Sequence, residues 1–404
     1  MNVIITTETR FQKGRDGTIY TDNEFASGYS FFKRYLEVFD SVTVVGRLQE
    51  YLTTGNAKVT GSNVFFKPIP YYLGPTQYLF KKFQINKTIR SVFLENHGHS
   101  AFITRSPGNI ASNLIKVLTK RRHPFGMEVV GDPYDVFAPG AIKHPLRPIF
   151  RIWFANGLRL KCLKASGVAY VTEFSLQRRY PPAQGIFNTH YSSIQLDASD
   201  FVASPPLERF RTSGFEIISV GTMAQLYKAQ DVLLKAFAIC VQEGLDARLT
   251  LVGDGKFRKD LEHLVDSLEL GEYVRFAGQL PSGDAVRQQL DNADLFVLPS
   301  KGEGLPRAMI EAMARGLPCI GSSASGIPEL LSSEDLVQPG DIHHLAQKII
   351  EVLSSPERLR SMSERNLEKA KDYRNDILQR RRNAFYEEIK KKTKDYWDKN
   401  KGKF

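Results

Sequence analysis

Short apolar runs alternate with segments of helical period through most of the second half of the chain. Phe215–Val220, Arg248–Val252, Val274–Ala277, Leu295–Leu298 and Pro318–Gly321 have the length and composition of buried strands. Between them, Asp231–Glu243, Phe257–Leu268, Asp284–Asn292 and Pro306–Arg315 carry apolar residues at helical spacing, and Ile327–Leu331 reads as a short helix. Regular βα alternation predicts an open parallel sheet covered by helices on both faces, with ligands at the carboxyl ends of the strands. The first half repeats the theme with less regular loops. Strands are expected at Val3–Thr7, Ser41–Val45, Ala101–Thr104, Met127–Val130 and Val168–Thr172, and a helix at Ser30–Phe39. Leu196–Ser213 is polar, contains Pro205 and Pro206 and has no period, so the domain boundary is placed there. From Pro356 to Lys392 the pattern is almost continuously helical.

Composition narrows this α/β picture. At 404 residues, 42% hydrophobic and 25% charged, the chain reads as a soluble protein of two or three domains. No apolar run approaches the ~18 residues that span a bilayer. Met1-Asn2-Val3-Ile4-Ile5 reads as a buried strand, not a signal peptide. Cys162, Cys240 and Cys319 are too widely spaced for a disulfide framework or a zinc site, and fit a reducing cytoplasm.

The net charge of +11 points to an acidic partner. Residues 63–94 contain no Asp or Glu but carry Lys67, Lys81, Lys82, Lys87 and Arg90 among many aromatics. Residues 136–172 likewise lack acids and carry Lys143, Arg147, Arg151, Arg159, Lys161 and Lys164. Pro145–Leu163 forms a basic amphipathic segment with Ile149, Trp153 and Phe154 on its apolar side. An anionic membrane surface is therefore the candidate partner, and packing within the domain is the competing explanation. A nucleic acid is not expected, because no RNA- or DNA-binding motif accompanies the charge.

The chemistry concentrates in Ser300-Lys301-Gly302-Glu303-Gly304-Leu305-Pro306-Arg307-Ala308-Met309-Ile310-Glu311. It follows a predicted strand. Pro306 suits the first turn of a helix, and Gly316 its end. Gly302 and Gly304 let backbone approach a ligand, and free N–H groups near Leu305 and Arg307 favour an anion such as a diphosphate. Glu303 lies on the loop and Glu311 inside the helix, so both address one polyhydroxy ligand.

This segment resembles the Glu-x7-Glu signature of GT-B glycosyltransferases, especially family 4. The resemblance implies two Rossmann-like doubly wound parallel-sheet domains facing a cleft, with C-terminal helices packing back on the N-terminal domain. The expected division is an acceptor domain at 1–205, a donor domain at 206–372, and a returning helix and basic tail at 373–404. The resemblance places Glu303 near the donor sugar and Glu311 on the ribose hydroxyls, with backbone N–H groups at Gly304 and Leu305 on the phosphates. The segment from Ser219 to Ala229 resembles the first βα loop of the donor domain, which implies Lys228 as the phosphate cation beside Gly221. Thr222 stands where the family often has arginine, so either charge neutralisation is weaker at that point or Arg307 or another basic residue supplies it. The turns at Gly253 and Phe276 resemble loops that approach the nucleotide, and Gly326-Ile327-Pro328-Glu329 a further element near the donor. Asp132 stands in the stretch where many relatives carry a histidine, and Arg105 follows a central strand; both are candidate active-site residues.

The implied activity is retaining, metal-independent hexosyl transfer from a nucleotide diphosphate-sugar, a co-substrate in place of any resident cofactor. Nothing resembles a metal-binding Asp-x-Asp. The acceptor is a glycan or lipid-linked sugar of bacterial surface or exopolysaccharide synthesis, met in the cytoplasm or at the inner membrane face. A catalytically silent or non-transferase GT-B nucleotide-sugar-binding protein remains the alternative, with a basic nucleic-acid-binding protein behind it.

Overall fold

The computed structural model describes the chain except Asn23, Ser282 and residues 51–56, 139–143, 206–210 and 401–404. Lys143 and Pro206, named above in a basic stretch and at the expected boundary, lie outside the described residues. The strands are β1 (Asn2–Lys13), β2 (Ile19–Thr21), β3 (Ser41–Glu50), β4 (Ala57–Lys58), β5 (Val64–Pro70), β6 (Ser100–Ser106), β7 (Gly126–Val129), β8 (Gly167–Tyr170), β9 (Phe187–His190), β10 (Phe215–Val220), β11 (Ala247–Val252), β12 (Val274–Gly278), β13 (Leu295–Leu298), β14 (Cys319–Ser322) and β15 (Leu336–Val337). The helices are α1 (Glu24–Ser27), α2 (Tyr29–Lys33), α3 (Gly74–Asn96), α4 (Asn109–Lys120), α5 (Pro133–Val136), α6 (Arg147–Cys162), α7 (Ser175–Arg179), α8 (Gln230–Gln242), α9 (Arg258–Ser267), α10 (Asp284–Asp291), α11 (Arg307–Ala314), α12 (Ile342–Leu353), α13 (Pro356–Ala370) and α14 (Asn375–Lys399).

The chain divides into two compact units. The first comprises Met1–Gly131, Ala155–Ser193 and Gln379–Phe404. Among the described residues its parallel strands run in the order β5-β3-β1-β6-β7-β8-β9, and β2 and β4 extend the sheet antiparallel beside β1. α14 packs onto this sheet with Phe385, Tyr386 and Ile389, all fully buried. Gly126 and Gly167 make that approach possible: a Cβ on Gly126 would lie 2.8 Å from Ile389 and 2.9 Å from Phe385.

The second unit comprises Asp132–Phe154 and Ile194–Leu378. Its sheet is entirely parallel, in the order β12-β11-β10-β13-β14-β15. β13 and β14 are buried along their whole length, which is why they read as continuous apolar runs. Leu233, Phe237, Leu249, Leu251, Leu295, Ile349 and Met362 form the core between sheet and helices.

Three elements depart from the sequence reading. The helix expected at Ser30–Phe39 tightens after Lys33 into a 3-10 turn, Arg34–Glu37, which carries Arg34 and Tyr35 into the interior. The long C-terminal helix breaks at a second 3-10 turn, Lys371–Tyr373, where Tyr373 is buried and Arg374 turns to extended backbone. The basic aromatic stretch at 63–94, assigned no element, forms β5 and the long helix α3. Ile85, Ile89, Val92 and Phe93 give α3 a buried stripe, but Leu79, Phe80 and Phe83 are exposed and blur its period.

Candidate functional site

In the second unit the strand order reverses between β10 and β13. Open α/β sheets bind ligands in the crevice at such a reversal, outside the carboxyl ends of the strands. The loop after β10 runs through Gly221, Thr222 and the 3-10 turn Leu226–Lys228. The loop after β13 carries Gly302, Glu303, Gly304 and Leu305 into α11. The Lys301 N–H donates to the Tyr227 carbonyl at 2.7 Å and ties the two loops together.

The loop after β11 locks onto the first of these. The Gly221 N–H donates to Val252 O at 2.9 Å, the Met223 N–H to Asp254 O at 2.9 Å and the Phe257 N–H to Met223 O at 3.1 Å. Gly253 has φ 135°, and a Cβ there would fall 2.0 Å from the Gly221 carbonyl oxygen. Gly253 therefore serves loop-against-loop packing.

Lys228 and Glu303 form an ion pair at this reversal, with both side chains largely buried. A second layer fixes the glutamate loop. The Glu303 N–H donates to Ser325 Oγ at 3.1 Å, and Ser325 Oγ donates in turn to the Asp135 carboxylate. Ser325 adopts a left-handed backbone at φ 51° to reach both. Gly302 is buried against Asp135, where a Cβ would meet the Asp135 Cβ at 3.0 Å. Sequence reasoning missed Asp135 and Ser325; the one available signal was that Ser325 directly precedes the Gly326–Glu329 segment already singled out.

Pro306 is the N-cap of α11, not its first helical residue, with ψ 105°. Its carbonyl takes the Ile310 N–H at 3.3 Å, so the N–H groups of Arg307, Ala308 and Met309 stand at an open helix end. The Arg307 side chain has no hydrogen-bond or ion-pair partner among the described residues. Glu311 sits one turn further on. Burial pushes its carboxyl above the ordinary range, against the pull of Arg307 and Arg287. Gly316, with φ 68°, ends the helix.

The other expected residues take varied places. Thr222 is exposed, and its hydroxyl accepts from the Ala224 N–H at 3.1 Å as a turn cap. Phe276 lies on β12, its ring 5.8 Å from the Arg258 guanidinium. Glu329 ends the 3-10 turn Ile327–Glu329. Asp132 caps α5, accepting from the Tyr134 N–H at 2.8 Å. Arg105 belongs to the first unit and pairs with Glu128 at the carboxyl end of β6. A cavity of about 540 Å³, lined by Ile217, Arg248 and Tyr273, lies at the amino ends of β10–β12, the far end of the sheet from Glu303. Among the described residues, no group of three or more His, Cys, Asp or Glu side chains is arranged to hold a metal ion.

Residues 206–369 match the family described as glycosyl transferases group 1. The chain is 27% identical to Protein CapJ of Staphylococcus aureus over 341 residues, 82% of each chain. It is 33% identical over 167 residues to the putative colanic acid biosynthesis glycosyltransferase WcaL of Escherichia coli, covering 39% of this chain and 40% of that protein. The fold resembles Anabaena Alr3699/HepE, solved with UDP and glucose, at TM-score 0.66 and 15% identity over 98% of this chain and 100% of that one. Two parallel-sheet units, a glycine-rich loop and helix at the strand reversal and these matches give one conclusion: residues 206–369 form a domain of the glycosyl transferases group 1 family, and the chain has the GT-B fold.

Proposed function

We propose that this glycosyltransferase moves a hexose, with retention, from a nucleotide diphosphate-sugar to a glycan or lipid-linked acceptor of bacterial surface polysaccharide synthesis. The observation that carries the reading is the buried Lys228–Glu303 pair at the β10/β13 reversal, beside the open end of α11. Breaking the donor's glycosidic bond leaves negative charge on the diphosphate. Lys228 and the first N–H groups of α11 are the groups suited to stabilise it. Glu303 addresses the sugar, and Glu311 accepts from the ribose hydroxyls. The similarity to WcaL, a putative colanic acid biosynthesis glycosyltransferase, supports the pathway, and the likeness to HepE, solved with UDP and glucose, supports a uridine donor. A thermal-shift screen of nucleotide sugars tests the reading, since a ligand of the native state raises the melting temperature. No response to any nucleotide sugar sinks it. Donor turnover in excess EDTA should equal turnover without it; a loss restored by magnesium or manganese would contradict metal independence.

Glu311 gives the binding a pH signature. Its folded pKa is raised by burial, so ionising it destabilises the free protein as pH rises past the ordinary 4.5. Ribose hydroxyls favour the ionised form, so donor affinity should climb from about pH 4.5 upward and then level off. Calorimetric titration across that range should show the rise in the wild type and a flat profile in Glu311→Gln. A wild-type profile as flat as the variant's would contradict the assignment.

The acceptor is met at an anionic membrane surface, on the cytoplasmic side. Phe80 and Phe83 on α3 are 86% and 81% exposed, adjacent to Leu79 and among Lys82, Lys87 and Arg90. Ile149, Ile152 and Trp153 on α6 are likewise exposed, near Arg147, Arg151 and Arg159. No helix among the described residues is long and apolar enough to cross a membrane. Apolar side chains set in a cationic surface suit interfacial binding. Phe80→Ser with Phe83→Ser should weaken sedimentation with phosphatidylglycerol vesicles by roughly tenfold or more. Equal binding by wild type and double variant would remove α3 from the membrane contact.

A further inference from the structure

A second charged site lies wholly inside the first unit, around the Arg105–Glu128 pair. Glu128, on β7, is buried, and its carboxylate is fully engaged. It accepts from Arg105 Nη1 at 2.5 Å, from the Tyr35 hydroxyl at 2.9 and 3.0 Å and from the Tyr191 hydroxyl at 2.9 Å. Arg34 is not among these donors. All three of its guanidinium nitrogens are sealed from solvent and lack a hydrogen-bond partner among the described residues. The group lies 3.6 Å from the Phe31 ring centroid, and the Arg105 guanidinium lies 4.6 Å from the same centroid. Arg382, fully buried on α14, donates to Ser192 O at 2.9 Å and to Gln379 Oε1 at 3.1 Å. Burial, and then the charge of Arg34, push it down to about 10, so it stays protonated at neutral pH.

Tyr35, Tyr191 and Tyr386 do not balance these cations. Burial, with Glu128 adding to it, pushes all three phenols up and keeps them neutral. Arg34 and Arg105 thus share the single Glu128 carboxylate among the described residues of this cluster. Proteins bury charge at high cost unless it is paired and hydrogen-bonded. A water molecule would satisfy the Arg34 N–H groups but leave the charge.

The surplus has a definite place. Arg34, Arg105, Glu128, Val130, Val171 and Ser193 line a narrow cavity of about 10 Å³ at the carboxyl ends of the central strands. That is room for about one water-sized group. It also lies at the ligand-binding end of a parallel α/β sheet. We propose that Arg34 and Arg105 form a site for one oxygen of an anionic group, a carboxylate or phosphate, carried by the acceptor sugar. Calling its bearer the acceptor rests on the glycosyltransferase reading; the anion site itself does not.

The test uses the full chain and melting temperature, with ionic strength held constant by potassium chloride. Inorganic phosphate, glucose 1-phosphate, glucuronate and uncharged methyl glucoside are titrated separately. The anionic sugars should stabilise the wild type, with half-saturation at on the order of tenfold lower concentration than in Arg34→Met. Methyl glucoside should have no effect. Arg34→Lys, which keeps the charge, should retain part of the response and covers the case in which Arg34→Met fails to fold. Equal responses in wild type and Arg34→Met, or no anion response in wild type, overturn the site. A response to inorganic phosphate alone overturns the acceptor assignment. Nucleotide-sugar titration of the same proteins separates the two readings. A chain that binds anions through Arg34 but no nucleotide keeps this site and loses the transferase reading.

Discussion

Replacing Glu303 with alanine is expected to lower sugar transfer by on the order of 10²–10³-fold, the scale of losing one preorganised charge at a reacting centre, without weakening nucleotide binding. In the free protein Lys228 is neutralised by Glu303, and both side chains are largely buried. A donor diphosphate must compete with that carboxylate for the ammonium group. Removing the carboxylate frees Lys228 for the phosphates, so the dissociation constant for the nucleotide alone should stay the same or fall. Lys228→Met should act differently, because it removes the cation and leaves Glu303 buried and unpaired. Nucleotide affinity and turnover should then fall together. The loop should hold its shape in Glu303→Ala, since Ser325 Oγ grips the backbone N–H of residue 303 and not its side chain. The measurements are kcat with the donor found by screening, and nucleotide affinity by calorimetry. A Glu303→Ala enzyme within tenfold of the wild-type kcat, or one that loses nucleotide affinity as Lys228→Met does, would show that Glu303 serves only the fold.

The two units differ in how openly their sequences declare them. In the second, the inner strands β10, β11 and β13 are largely buried and alternate with helices that carry apolar residues at helical spacing. Strand and helix periods are therefore unmistakable, and β10 and β13 fall on the residues read from the pattern. In the first unit, exposed apolar residues hide α3. A 3-10 turn ends the helix expected at Ser30–Phe39, because Arg34 and Tyr35 turn inward. Local pattern cannot reveal a buried arginine: Arg34 reads as a surface charge until the partners that surround it, from β7, α14 and the segment after β9, are in place. The same holds at the glutamate loop. Lys228 and Glu303 were singled out separately, on two loops, and the ion pair between them is a tertiary fact. Asp135 supports that loop from a segment more than a hundred residues earlier, which no spacing rule could connect to it.

The largest expected loss of stability comes from Glu128→Gln. The substitution keeps the shape of the side chain and an acceptor for the Tyr35 and Tyr191 hydroxyls, but removes the carboxylate that Arg105 pairs with. Arg105 would then be left without its counter-charge in the interior, with Arg34 still unpartnered beside it. Removing one member of a buried ion pair costs about 3–5 kcal/mol. For a unit of this size that is a fall in melting temperature of roughly 6–20 °C, read by scanning calorimetry. The wild type should show the same dependence through pH. Burial opposes ionisation of Glu128, but Arg105 and Arg34 more than offset it and hold the carboxyl below its ordinary range. Its contribution is therefore full above the ordinary pKa of 4.5 and is lost as pH falls through the lower, folded value. Glu128→Gln should lack that acid limb. Combining it with Arg105→Met should recover much of the loss, because the second change removes the charge the first left unpaired. A single variant as stable as the wild type would mean that a bound anion already neutralises the arginines, and that Glu128 is not what keeps them inside.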